Sequence, residues 1–186
     1  MLGVAALVDT LEAVDATPVR GSRILVLDGE PAGWVPVGWS VVGRRGREPG
    51  EHLANAFDDV GGPALVLGTA TPQITPDLLS ACIQVLRTPR VDAVLGPAAN
   101  GGCWAVGLRE PEPAALLGVS AGGRGVLEAQ RRRLRALGIP FAELPVLREV
   151  DTMADAWVVA SQARSSRFAR ALGSMLEPAQ PVAAFA

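Results

Sequence analysis

Two turns of small residues are where this chain could hold a small molecule. Leu65-Val66-Leu67 runs into Gly68-Thr69-Ala70-Thr71-Pro72, and Ala93-Val94-Leu95 runs into Gly96-Pro97-Ala98-Ala99-Asn100-Gly101-Gly102. Short apolar runs with turn punctuation read as buried strands. Ligands of an open α/β sheet sit in the crevice beyond the carboxyl ends of its strands, and both turns fall there. The remaining reactive residues narrow the chemistry. All 17 basic residues are arginine, so no lysine can form a Schiff base or hold a β/γ-phosphate in a Walker loop. His52 is the lone histidine. It reads as a surface residue near a helix start, with no serine or cysteine nucleophile paired to it by sequence. Cys82 and Cys103 sit in apolar settings and read as small buried hydrophobes rather than a disulfide or zinc framework.

The elements that must position these turns follow from periodicity. Val4, Leu7, Val8, Leu11 and Val14 recur at helical spacing, and Thr17-Pro18 ends that opening helix. Ile24 to Leu27 reads as a buried strand and Ser40 to Val42 as a short one. A helix is expected near His52 to Val60, then a strand over Ala64 to Gly68. Thr75-Pro76-Asp77 predicts a helix start, with Thr75 as N-cap and Pro76 in the first turn. Its buried stripe is Leu78, Leu79, Cys82, Ile83 and Leu86. Strands Ala93–Leu95 and Cys103–Val106 follow. Gly122-Gly123-Arg124-Gly125 reads as a flexible loop before a helix over Val126 to Leu137, which Gly138 ends. Phe141 to Leu144 reads as a strand. Asp151-Thr152 is expected to cap one last helix carrying Met153, Trp157, Ala160, Phe168 and Leu172. Leu25, Leu27, Leu65, Leu67, Leu79, Ile83, Val94 and Val106 are the expected core.

Alternating strands and helices predict a three-layer α/β/α fold with a mostly parallel central sheet. At 49% apolar and 19% charged, the chain can bury a real core and is not a disordered one. One domain over 1–176 is expected, with a flexible Pro- and Ala-rich tail over 177–186. A formal charge of −2 gives no general pull toward nucleic acid. The run Arg131-Arg132-Arg133-Leu134-Arg135 therefore reads as a solvated helix face rather than a nucleic-acid surface. No stretch is long enough to span a bilayer and no basic leader opens the chain, so the cytoplasm is the expected compartment.

Three ordered segments resemble one family. Gly68-Thr69-Ala70-Thr71-Pro72 with Thr75-Pro76-Asp77-Leu78-Leu79 resembles a "G-[ST]-D-x-P-x-[LIV]-[ST]-P-x-L-L" segment. Leu95-Gly96-Pro97-Ala98-Ala99-Asn100-Gly101-Gly102-Cys103-Trp104-Ala105-Val106-Gly107-Leu108 resembles "LGPAxDGGYxLxGL". Arg148-Glu149-Val150-Asp151-Thr152-Met153-Ala154-Asp155 resembles "DVDTxED". These belong to a glycosyltransferase-A-like family of unknown function, of the radical-SAM/selenodomain-associated transferase type. The resemblance implies a nucleotide-diphosphosugar transferase fold and a donor site at Thr69, Ala70, Thr71, Asn100, Gly101, Gly102 and Trp104. It also implies acidic residues holding Mg²⁺ or Mn²⁺ against a diphosphate. The matching first-turn aspartate falls on Ala70 and the second on Asn100, which leaves Asp151 as the candidate metal residue. The family's opening strand, with its "GxVKTRL"-like loop, has no counterpart in this sequence. The implied fold is therefore truncated at its amino terminus, and the cation is expected to be weakly bound or absent.

Several readings stay open. Asp151 is a metal ligand or a helix cap, and Trp104 a pocket wall or a core residue. Asn100-Gly101-Gly102 lines a pocket, makes a tight turn, or both. No catalytic residue can be named. The chain as a whole is a transferase using a nucleotide-activated sugar or related donor, an impaired member that still binds a nucleotide or a partner protein, or a structural subunit without a small-molecule ligand. Metal-dependent turnover separates the first two. Stabilisation by a nucleotide diphosphate separates the second from the third.

Overall fold

The computed structural model describes residues 2–19, 21–31, 33–119 and 125–175. The chain runs α1 (Leu2–Ala16), β1 (Ile24–Leu27), β2 (Ser40–Gly43), α2 (Pro49–Val60), β3 (Ala64–Leu67), α3 (Pro76–Arg87), β4 (Ala93–Pro97) and β5 (Cys103–Leu108). It continues with α4 (Pro113–Leu116), α5 (Val126–Ala136), β6 (Phe141–Glu143), α6 (Met153–Gln162) and α7 (Arg167–Ser174). The expected loop residues Gly122, Gly123 and Arg124 and the expected tail over 177–186 lie outside the described residues.

The strands form two sheets, a parallel pair β1-β2 and a four-stranded sheet in the order β3-β5-β4-β6. In the larger sheet β4 and β6 pair in parallel, while β5 runs antiparallel to both of its neighbours, β3 and β4. Three of the four strands thus point one way, yet most of the pairing is antiparallel. The expectation of a mostly parallel sheet is corrected to a mixed one. The reason is local: β5 follows β4 through the short Ala98–Gly102 turn, which is far too short for the crossover that a parallel partner needs.

Helices cover both faces of the larger sheet, giving the expected three layers. On one face Ala93, Leu95, Val106 and Leu108 meet Ala54 and Phe57 of α2, Leu116 of α4, and Leu127 and Leu134 of α5. On the other, Val94, Trp104 and Ala105 meet Ala13 of α1 and Leu79, Cys82 and Leu86 of α3. Every residue of β4 is buried, as befits a strand enclosed on both faces. A third cluster joins Ala6 of α1 to Ala156, Val159, Phe168 and Leu172 of α6 and α7.

The expected start of α3 is present, with Thr75 Oγ1 accepting from Leu78 N at 3.2 Å. Four expected core residues, Leu25, Leu79, Val94 and Val106, are buried. Leu27, Leu65, Leu67 and Ile83 are only half-buried; the first three lie on strands with a neighbour on one side alone. The α1 stripe is rotated from expectation. Ala6, Thr10, Leu11 and Ala13 are buried while Val4 is 54% exposed, because small residues let α1 lie close to α7. The expected single last helix is two, since Ser166 caps a new start by accepting from Ala169 N at 2.9 Å. Asp9 of α1 fixes that start as well, accepting from Arg167 N and Phe168 N at 2.8 Å each. Among the described residues no helix is long and apolar enough to cross a membrane.

Candidate functional site

Because β3 and β4 point the same way, the turns that follow them emerge at one end of the sheet. Gly68 N donates to Trp104 O at 2.8 Å, tying the first turn to the start of β5. The second turn closes on itself through Ala98 N to Gly102 O at 3.0 Å and Gly101 N to Ala98 O at 2.9 Å. Gly101 has φ 87, a left-handed conformation that glycine adopts without strain. The third segment, Leu147–Thr152, crosses both turns. Ala99 N donates to Leu147 O at 2.8 Å, Val150 N to Ala70 O at 2.9 Å, and Gln73 Nε2 to Arg148 O at 2.7 Å.

The three segments converge on one polar group. Asn100 Nδ2 donates to Glu149 Oε2 at 3.1 Å and to Asp151 Oδ2. Asn100 Oδ1 accepts from Gly102 N at 2.9 Å. The glycines make room for this arrangement. A Cβ on Gly102 would lie 2.7 Å from Glu149 Oε2 and 3.0 Å from Asn100 Oδ1, and one on Gly68 would lie 3.9 Å from Glu149 Oε1. Burial raises the Glu149 pKa above the ordinary carboxylate value, and neighbouring Asp151 adds to the rise; the Asn100 hydrogen bond opposes it.

The expected site residues separate into two sets. Ala70, Asn100, Gly101 and Gly102 stand together around Glu149 and Asp151, and Thr69 is exposed beside them. Thr71 is fully buried, its Oγ1 without a hydrogen-bond partner among the described residues. Trp104 is 0% exposed, packs in the core and donates Nε1 to Pro145 O at 3.0 Å. It has no free ring face for a base, so the pocket-wall reading gives way to the core reading. Asp151 is not the cap of α6. Thr152 is, accepting from Asp155 N at 3.2 Å while the Asp155 carboxylate accepts from Thr152 N at 3.1 Å. The Asp151 carboxylate is thereby left to Asn100.

Glu149 is the residue that sequence reasoning passed over. Its signal was its position two residues before Asp151: in an extended stretch, alternate side chains share a side. Of the other candidate groups, Cys103 directly follows Gly102, and Glu149 is among the charges that act on its thiol. His52 Nε2 is 3.3 Å from Gly46 O. Burial pushes the Cys103 thiol up to about 11, which leaves it a poor nucleophile. Arg131 pairs with Glu143 at 2.7 Å, and Arg133 Nε donates to Ala114 O at 2.6 Å, so part of the arginine run is spent inside the fold. A broad cleft of about 810 Å³ adjoins the first turn at Pro72 and Gln73 and reaches α1 and the α6–α7 junction at Asp9, Ser161 and Ser165.

A hard divalent cation needs several oxygen ligands free to turn toward it. Ala70 offers a methyl group, and Asn100 turns its nitrogen, not its oxygen, toward the two carboxylates. Among the described residues no three His, Cys, Asp or Glu side chains are grouped to hold a metal. Two carboxylates, Glu149 and Asp151, are thus what the crevice offers a cation, with the Asn100 amide donating to both.

Solved structures share this fold. A candidate nucleotide-diphospho-sugar transferase from Desulfovibrio desulfuricans G20 superposes with a TM-score of 0.77 at 23% identity, over 94% of this chain and 81% of the other. A hypothetical transferase from Thermus thermophilus superposes with a TM-score of 0.50 at 19% identity, over 80% of this chain and 85% of the other. The fold is thus that of a nucleotide-diphospho-sugar transferase, with the mixed sheet described above. No curated protein matches the chain. The profile of one family matches residues 13–123, a span that includes both small-residue turns, and the chain belongs to that family, the uncharacterized proteins conserved in bacteria known as DUF2064.

Proposed function

We propose that the crevice at the ends of β3 and β4 binds a nucleotide-activated sugar or a related donor, and that the protein is of the transferase class with weakened or lost metal-dependent activity. The observation that carries this reading is the convergence of Ala70, Asn100, Gly102, Glu149 and Asp151 at one sheet end. The shared fold of the two solved transferase-like proteins supports it. Gly102 gives the Glu149 and Asn100 side chains the room that a Cβ would take, and Thr69 is exposed beside them. Glu149 and Asp151 each have one carboxylate oxygen outside the Asn100 bond to accept from ligand hydroxyls. A second reading, a member that binds the donor without turning it over, is favoured by one observation. Two carboxylates beside a diphosphate repel it unless a cation intervenes, and Asn100 turns its N–H groups, not its oxygen, toward both of them.

Thermal unfolding with a panel of nucleoside diphosphates and their sugar conjugates tests donor binding. A ligand at about one hundred times its Kd stabilises the native state by about 2.7 kcal/mol. For a chain of this size that corresponds to a rise in Tm of about 5–10 °C. Such a rise for at least one nucleotide sugar is expected; a flat panel would remove the donor site. A transfer or hydrolysis assay on the ligand that binds then separates the active from the non-catalytic reading.

A further inference from the structure

We infer that the Asn100 side-chain amide occupies the seat a divalent cation would take between Glu149 and Asp151, so that the crevice is organised without Mg²⁺ or Mn²⁺. The same inference makes position 100 a single switch that converts the crevice into a cation site. It concerns the crevice of the proposed donor site but holds whether or not a donor binds there.

The argument rests on how the amide is used. Two carboxylates two residues apart, one of them half-buried, repel each other. A cation between them would relieve that repulsion. Here the amide nitrogen does it instead, with one N–H for each carboxylate. Hydrogen bonds to an ionised acceptor are the stronger kind. The other end of the amide is fixed by the Gly102 N–H at 2.9 Å. Reversing the amide would set its oxygen against both carboxylates and its NH₂ against the Gly102 N–H. The orientation is therefore fixed from three sides. The Asn100 oxygen is turned to the Gly102 N–H, and one oxygen of each carboxylate is engaged by the amide. Gly102 is part of the device, since its missing Cβ leaves the space that the Glu149 carboxylate and the amide fill.

Aspartate at position 100 has nearly the same shape. One carboxylate oxygen would keep the Gly102 N–H, and the other would take the place of the NH₂ group. Two donated hydrogens become one more negative oxygen, and three carboxylates then share the space. Oxygen-rich, negatively charged sets are those that Mg²⁺ and Mn²⁺ prefer.

Titration of the full chain with Mn²⁺ alone, followed by the paramagnetic resonance of free Mn²⁺ and by calorimetry, tests this without any nucleotide. A failed donor site and a failed cation switch are thereby kept apart. The unmodified protein is expected to leave Mn²⁺ free at about 1 mM, the weak end of measurable affinity. Asn100→Asp is expected to bind it at least about tenfold more tightly, a gain of about 1.4 kcal/mol, and adding Glu149→Gln should reverse the gain. Unmodified protein binding Mn²⁺ as tightly as Asn100→Asp would overturn the inference, as would a folded Asn100→Asp protein with no gain. Should that variant fail to fold, the side-chain amide resonance of Asn100 in the unmodified protein decides. It is expected to stay sharp as Mn²⁺ is added, and selective broadening at substoichiometric Mn²⁺ would sink the idea.

Discussion

The two sheets are built from nearly the same kind of sequence and end in different environments. β1 reads Ile-Leu-Val-Leu and β3 reads Ala-Leu-Val-Leu, yet β1 pairs only with β2, while β3 edges a sheet whose inner strands β4 and β5 are buried along almost their whole length. In the β1-β2 pair, Leu25 alone is buried, and Val26 and Val41 are each 36% exposed. Apolar composition qualifies a strand for the core, but neighbours on both edges and helices on both faces put it there. Parallel strands are normally covered on both faces, and two strands by themselves are marginal. The pair is thus the less supported part of the molecule, and the crevice is built on the better supported part.

The largest test of that contrast is truncation. Leu95→Ala in β4 should cost about 2–5 kcal/mol in urea unfolding, since the side chain is fully enclosed. Val41→Ala in β2 should stay within about 0.5 kcal/mol. Equal losses would show that the β1-β2 pair is as well packed as the larger sheet.

A smaller effect separates two glycines. A methyl group at Gly102→Ala would start 2.7 Å from the Glu149 carboxylate, so the Glu149 side chain must move away, disturbing the crevice at a cost of about 1 kcal/mol. Gly43→Ala, in β2, meets nothing within 4 Å and should be neutral to about 0.5 kcal/mol. Unfolding curves of the two variants compare them directly, and a harmless Gly102→Ala would mean that the crevice yields easily.

The smallest effect is in pH. The Glu149 pKa is raised in the folded state, chiefly by burial, so the folded protein holds that proton more tightly than the unfolded chain does. Below the unfolded pKa the group makes no difference. Stability is lost as pH rises from the unfolded value to the folded one. Glu149→Gln keeps an acceptor for Asn100 and removes the titration. Its Tm relative to the unmodified protein should therefore improve as pH rises from about 4 to about 7, across the carboxylate range. A constant difference over that range would show that Glu149 is not held as described.

Much of this was written plainly in the chain. Thr75-Pro76 announced α3 because a hydroxyl cap followed by proline has few other uses, and the two small-residue turns marked the strand ends that became the crevice. What could not be read was relational. Nothing local to Asn100 says that its amide meets carboxylates about fifty positions further on. Asp151 beside Thr152 looks like a cap to any rule that reads neighbours, and only the Asp155 contact shows that Thr152 fills that role. Trp104 follows a turn and could have faced either way; the space above Gly96, where a Cβ would lie 2.6 Å from the indole, decided its place. The reversed β5 was hidden for a different reason. Apolar alternation marks a strand without marking its direction.

That reversed strand has a consequence in time as well as in space. β4 and β5 are joined by residues 98–102 and pair along most of their length, so they can meet early, at a small cost in chain-closure entropy. β3 and β6 must travel further along the chain to reach the two edges of that hairpin. Local contacts set the pace of folding and distant ones follow. The hairpin whose turn carries Asn100 is therefore the expected nucleus. Substitutions in β4 or β5 should slow refolding, whereas those in the β1-β2 pair should act on unfolding alone. The turn that shapes the crevice would then also be among the first parts of the chain to become ordered.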